Sequence, residues 1–399
     1  MARKRGFDAG LAARLGEQSL PEAFLDLAAL TANARWLLSQ ADDKTIRVVT
    51  KSIRCVEALR YIQGLDRRFS GLMCYHPTEA CWLSTQGFRD LLVAYPCVDA
   101  AVIGQVCDSL SAGADITLMV DDLAQLELIE EQAALREVTV PVCLDLDMST
   151  AMGPIWFGVR RSPLRDAESL EPLVERIEQS DHLVLLGLMG YEAQIAGVPD
   201  RVTGKTLQNL LVPYLKASAW PVLSARRARA VARLRQAGQR LRLVNGGGTG
   251  SVRRTAADPV VTEIAVGSGF FAPHLFDGYR DLDLQPAAGF ASRVVRRPGR
   301  NWATVSGGGY IASGSPGWDK QPRPAWPPGL GLDDNEAAGE AQTPLQGPGT
   351  RALSIGDTIL FRHAKAGELC ERFNRLRVLD GERDRGYWKT YRGEGQCFL

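Results

Sequence analysis

The chain has 399 residues, 45% of them hydrophobic and 23% charged, a globular composition with enough apolar material for two domains of ordinary size. Its 47 Lys plus Arg against 46 Asp plus Glu leave the net charge near zero, which gives no support to a nucleic acid or an anionic membrane as partner. No stretch approaches the run of about 20 apolar residues that a bilayer-spanning helix needs. The basic start, MARKR, is followed only by short apolar pieces and not by the continuous core of a secretory leader. The eight cysteines are scattered, with no CxxC pair, so the expectation is of reduced thiols in the cytoplasm.

In chain order, residues 1–22 precede the first regular pattern and are available to pack on a later domain. From about residue 45 to 272 apolar, β-branched runs alternate with amphipathic stretches. The runs are RVVTKS (47–52), SGLMCY (70–75), DLLVAYP (90–96), DITLMV (115–120), VPVCLDLDM (140–148), LVLLGLMGYE (183–192), LRLVNGG (241–247) and EIAVGSGFF (263–271). Between them, segments such as VEALRYIQGL and DLAQLELIEEQAALRE carry apolar residues at helical spacing. Continuous apolar strands alternating with helices predict a parallel sheet covered on both faces, and eight such units predict a closed (β/α)8 TIM-type barrel over residues 23–275. After about residue 275 the helical periodicity fades. WATVSGGGYI, DTILFRHAK, RLRVLDG and YWKTYRG read as short strands, so residues 276–399 are predicted to form a mainly β domain. Within it, 313–350 is rich in Pro, Gly and acidic residues and reads as a long surface loop, partly disordered.

The carboxyl ends of the apolar runs carry Lys51, Tyr75 with His76, Tyr95, Asp145 with Asp147, Tyr191 with Glu192, Asn245, and Gly267 with Ser268. Catalytic groups of barrels sit at that end. A lone strand-end lysine is usually a solvated charge. At a barrel mouth it can be partly desolvated, which frees the amine for covalent chemistry with a carbonyl. NGGGTGS (245–251) follows the seventh run, and EIAVGSG is the eighth. Consecutive glycines let backbone N–H groups converge on an anion, Thr249 and Ser251 add hydroxyls, and barrel phosphate sites favour those two loops. His76 precedes a proline suited to a first helical turn, so a capping role and a substrate role both stand. His182 and His274 read as structural.

Together the strand-one lysine, GYEAQIAG (190–197), NGGGTGS and EIAVGSG resemble the fold-type III, alanine-racemase-type family of pyridoxal-phosphate enzymes, and within it the branch of D-threonine aldolases and D-serine dehydratases. The resemblance covers the barrel and part of the β domain. It implies pyridoxal 5'-phosphate as cofactor, Lys51 as the Schiff-base lysine, and Gly247, Gly248, Thr249, Gly267 and Ser268 as phosphate holders. It implies an arginine near the pyridine ring in GVRRSPL (158–164), where Arg161 fits better than Arg160, and it sets Tyr191 beside the cofactor. A homodimer is implied in the same way. The branch also places in its β domain a histidine and, two residues on, a cysteine or aspartate that bind a divalent cation such as Mn, Mg or Zn. Here FRHAKAGELCERF puts His363 at the first position and Lys365 at the second, and an ammonium repels a cation. Glu368 is nearby in sequence.

The expected function is therefore a lyase of the D-threonine-aldolase kind, or a D-amino-acid deaminase, with Lys51, His363 and Lys365 as catalytic residues and His363 as a metal ligand only if a cation is bound. The alternatives are an amino-acid racemase using Lys51 and a second base, and a non-catalytic pyridoxal-phosphate-binding regulator.

Overall fold

The computed structural model describes residues 6–152, 155–314 and 317–398, which divide into two compact units. One comprises residues 37–51 and 66–266 and holds a closed barrel of eight parallel strands. In chain order these are Thr45–Val49, Phe69–Cys74, Leu91–Val93, Ile116–Val120, Val140–Asp145, Leu183–Gly190, Leu243–Gly246 and Glu263–Val266. Each falls on one of the eight apolar runs. The barrel closes where the eighth strand pairs with the first, Glu263 opposite Thr45 and Val266 opposite Val48.

Alternate residues of each strand point inward. Met73, Leu92, Met119, Cys143, Met189, Leu243 and Ala265 form one packed inner layer. Two residues before Val49 on the same face, Arg47 lies fully buried in the barrel. It is held by Glu263 at 2.6 Å and Asp90 at 3.0 Å, and Asn245 donates to the same Glu263 carboxylate at 2.8 Å. Gly71 makes room for this guanidinium, since a Cβ there would stand 2.4 Å from an Arg47 nitrogen.

Outer helices start where the sequence supplies caps. Asp99 and Asp122 accept N–H bonds at the starts of Ala100–Ser111 and Leu123–Ala134. His76 does the same for Pro77–Thr85, its Nδ1 accepting from the Thr78 N–H at 3.2 Å, which gives it the capping role. His182 Nδ1 bonds the Val138 carbonyl at 3.1 Å. The longest helix, Thr206–Gln236, joins the sixth and seventh strands. Among the described residues no helix is long and apolar enough to cross a membrane.

The other unit comprises the described residues of 1–36, 52–65 and 267–397. Its sheet runs, in spatial order, Gly331–Leu332, Gln342–Gln346, Trp302–Ser306, Ala288–Gly299, Glu22–Asp26, Arg375–Asp380, Arg383–Lys389, with Thr358–Arg362 and Arg323–Trp326 branching from Ala288–Gly299. The helix Ala9–Gly16 places Leu11, Ala12 and Leu15 in one cluster with Phe24, Ala291, Leu360 and Leu379.

Two boundaries differ from the sequence reading. Residues 23–36 do not open the barrel: Glu22–Asp26 lies inside the β sheet, antiparallel to Ala288–Gly299 and parallel to Arg375–Asp380. A strand buried on both faces is apolar whichever sheet it joins, so EAFLD carries no label for its partner. Residues 313–350 are not a plain loop either. They contribute the strands Arg323–Trp326, Gly331–Leu332 and Gln342–Gln346. Proline is tolerated there because these strands lie at or near the sheet's edges.

Candidate active site at the barrel mouth

The first strand ends at Val49, and a 3-10 turn, Thr50–Ser52, carries Lys51 over its carboxyl end. The buried Thr50 hydroxyl fixes this turn by donating to the Met73 carbonyl at 3.0 Å. Lys51 is half-buried, and its Nζ donates to the Tyr95 hydroxyl at 2.7 Å. Tyr95 follows the third strand, and its strand-end position is the signal that marks it in the sequence.

Arg161 stands between two tyrosines, its guanidinium carbon 5.7 Å from the ring centroids of both Tyr95 and Tyr191. Its neighbour Arg160 turns to Trp156 instead, 4.7 Å from that ring. Of the two consecutive arginines, 161 is thus the one gathered with Lys51's partner. Burial pushes the Tyr191 phenol up to about 12, against the opposing pull of Arg161, so the hydroxyl keeps its proton at neutral pH. Asp145, at the end of the fifth strand, is pushed up to about 7, first by burial and then by the Asp121 carboxylate, with Arg161 opposing.

The glycine loop after the seventh strand rests on a buried ionic cluster. Glu192 and Arg227 are both fully buried and pair at 2.8 Å, and Arg227 also holds Asp258 at 2.6 Å. Glu192 accepts the Gly247 N–H at 3.1 Å and the hydroxyls of Thr255 and Ser251. Gly247, at φ +81°, would with a Cβ press within 2.8 Å of Ile264. Its N–H points down to a carboxylate, so Gly247 shapes the loop and does not offer that donor to a phosphate. The Gly248 N–H bonds the Ser251 hydroxyl at 3.1 Å, and a Cβ at Gly248 would meet Ala196 at 2.9 Å and the Tyr191 ring at 3.3 Å. Thr249 is buried in the same loop. The sequence pointed to the glycines, but nothing in it singles out Arg227 among the arginines of ARRARAVARLRQ.

Gly267 and Ser268 directly follow the eighth strand, and the Ser268 hydroxyl lies 3.3 Å from that of Ser52, the residue after Lys51. The barrel residues suit a phosphate-bearing aldehyde such as pyridoxal phosphate. They present a lysine amine at the mouth, a glycine cradle that side chains would fill, and a cation flanked by aromatic rings.

His363 and Lys365 belong to the β unit, just beyond the strand Thr358–Arg362. The His363 ring is 2% exposed, and neither nitrogen reaches a partner at ordinary hydrogen-bond geometry. Burial, then Arg362 and His274, lower it to about 3, so it is neutral at pH 7. Lys365 is half-buried and donates to the Ser313 hydroxyl at 3.1 Å, while Glu368 accepts the Ser313 N–H at 2.9 Å. His274 bonds the Gln321 carbonyl at 2.7 Å through Nε2. Among the described residues no three His, Cys, Asp or Glu side chains are grouped to hold a metal. One imidazole with an ammonium two residues on does not make a donor set for the divalent cation that the sequence resemblance implied.

Comparison with known proteins agrees with this geometry. Residues 25–272 match the family described as alanine racemase, N-terminal domain, and the chain belongs to that family. A D-threonine aldolase from Arthrobacter sp is 25% identical over 261 residues, which span 64% of this chain and 62% of the relative's length. Among solved structures, D-threonine aldolase from Filomicrobium marinum superposes with a TM-score of 0.79 at 20% identity, covering 94% of this chain and 95% of that one. D-threo-3-hydroxyaspartate dehydratase from Delftia sp. HT23 gives 0.73 at 18% identity over 94% and 98%, and alanine racemase from Clostridium difficile 630 gives 0.63 at 14% over 93% and 98%. At these identities the structural likeness establishes the shared fold.

Proposed function

We propose that this protein is a pyridoxal-phosphate-dependent enzyme of D-amino-acid metabolism, a lyase of the D-threonine-aldolase kind or a deaminase, with Lys51 holding the cofactor. The observation that carries this reading is the Lys51 amine, hydrogen-bonded to Tyr95 at the carboxyl end of the first barrel strand. When bound, the cofactor supplies an electron sink for the charge left on a substrate's Cα as one of its bonds breaks. Tyr95 orients the amine. Arg161, which stays protonated at any working pH, offers a fixed positive charge and no proton. Tyr191 keeps its phenolic proton, and Asp145 can take or give one near neutrality. Thr249, Gly248, Gly267 and Ser268 are the residues we assign to the phosphate. We also take the protein to be a homodimer working in a reducing cytoplasm, a setting that eight free cysteines support.

The branch's metal is replaced, in this reading, by Lys365. Its ammonium polarises a substrate hydroxyl or carboxylate, and His363, held neutral by burial, offers a ring N–H to the substrate instead of ligating.

Purified protein should be yellow, lose that absorbance on Lys51→Ala, and after borohydride reduction carry the cofactor on the Lys51 peptide. An adduct on another lysine would refute the assignment. A panel of D- and L-β-hydroxy amino acids, read for aldehyde plus glycine, for ammonia or for the enantiomer, separates lyase, deaminase and racemase. EDTA should leave turnover unchanged, and Lys365→Ala should lower it roughly a hundredfold, the loss expected when one preorganised donor is removed, with cofactor retained. Inactivation by EDTA with recovery on Mn²⁺ or Zn²⁺ would overturn the replacement.

A further inference from the structure

The first three barrel strands lie side by side, Thr45–Val49 against Phe69–Cys74 and Phe69–Cys74 against Leu91–Val93. Lys51 follows the first and Tyr95 the third, so their hydrogen bond crosses the carboxyl end of the second. Tyr75 stands at that end, two residues past Met73 of the inner layer. Alternation turns Tyr75 to the same side, and it is buried. Against its ring stands a residue from more than 320 positions later. Phe398 belongs to the barrel unit, although the residues before it, to Cys397, belong to the β unit. Its ring meets Tyr75 edge-on, with centroids 6.3 Å apart, and lies 5.7 Å from Trp82 on the helix Pro77–Thr85. Phe398 is itself half-buried.

We propose that Phe398 is a specificity-determining residue. With Tyr75 and Trp82 it forms the wall of the barrel mouth against which the substituent on a substrate's Cβ packs. This rests on the reading of Lys51 as the cofactor lysine, since that amine marks the place a substrate amine must take. Phe398 brings no hydrogen-bonding group to the wall. An aromatic wall gains by covering an apolar substituent, whereas it strips water from a carboxylate and replaces none of the lost hydrogen bonds. The protein therefore selects D-amino acids with an aliphatic or aromatic side chain over those with a second carboxylate.

The test follows the cofactor absorbance of the full-length holoenzyme as D-alanine, D-phenylalanine or D-aspartate is added, which reads binding without turnover. Wild type should bind D-phenylalanine more tightly than D-aspartate. Phe398→Ala should weaken D-phenylalanine roughly tenfold and D-alanine less than about twofold, the difference expected when one aromatic contact and the area it covers are lost. Phe398→Leu should keep most of the affinity, and Phe398→Arg should reverse the order in favour of D-aspartate. Circular dichroism and cofactor occupancy check that each variant is folded and loaded, and the leucine and arginine variants carry the same test where the alanine variant does not fold. If Phe398→Ala changes all three ligands by the same factor, the ring is a prop or a plug of the mouth and the proposal falls. It falls too if none of them changes, or if wild type prefers D-aspartate. A wild type that carries the cofactor on Lys51 and responds to no D-amino acid overturns the D-amino-acid reading itself, a result distinct from these.

Discussion

Asp145 shows how one carboxyl reports its surroundings. An acid whose folded value is raised to about 7 keeps its proton where the unfolded chain, ionising near 4, has lost it. Between those values the native state binds more protons than the unfolded state, so this group lowers stability as pH rises, and the loss is complete above pH 7. Asp145→Asn removes the ionisation. Its stability should match the wild type near pH 4 and exceed it by roughly 1–3 kcal/mol at pH 8, after allowance for partial exposure. Denaturant titrations at the two pH values check this; a difference independent of pH would mean that Asp145 is ionised in the native state. His363 works in the opposite direction. Its value is lowered to about 3, so its burial costs stability as pH falls below the ordinary histidine range and nothing above it.

At the scale of the element, the glycine loop and its support behave as one piece. Glu192 gathers the Gly247 amide, two hydroxyls and Arg227 with no water access, and Arg227 ties the same group to Asp258. Such a buried cluster adds little net stability while complete, but removing one partner leaves a buried charge uncompensated, at a cost of about 3–5 kcal/mol. Glu192→Gln keeps the shape and removes the charge. It should lower the melting temperature and weaken cofactor binding roughly tenfold or more, because the loop amide and hydroxyls lose a charge-assisted acceptor. Gly248→Asp acts at the cradle and not on its support. It crowds Ala196 and the Tyr191 ring and so costs some stability, but it should weaken cofactor binding more than it weakens folding. Titrating each variant with the cofactor, alongside its melt, separates the two effects. A folded Gly248→Asp protein with full cofactor occupancy would take the loop out of the site.

At the scale of the molecule, the chain does not finish one unit before starting the next. It lays down Glu22–Asp26 in the β sheet, builds the first barrel strand, returns to the β unit for residues 52–65, and only then completes the barrel. Lys51 and Ser52 mark that crossing, so the proposed cofactor lysine sits at the point where the chain leaves the barrel. The Glu22–Asp26 strand also pairs with Arg375–Asp380, more than 340 residues later, which ties the two ends of the sequence into one sheet. Neither unit corresponds to one contiguous piece of chain, and a cut at residue 275 would strip the β unit of a central strand.

The eight barrel strands were legible in the sequence because a parallel strand covered on both faces must be apolar along its whole length, and Lys51 and the glycine loop were legible because their residue types are unusual at strand ends. The gathering of Tyr95, Arg161 and Tyr191 was only partly legible. Arg161 and Tyr191 came from family likeness, and Tyr95 enters through a hydrogen bond that spans 44 residues. The Glu192–Arg227–Asp258 cluster left no trace, since its members lie 35 and 31 residues apart and each is an ordinary charged residue by itself. The placement of EAFLD was equally invisible, because apolarity records that a strand is buried and not which sheet buries it.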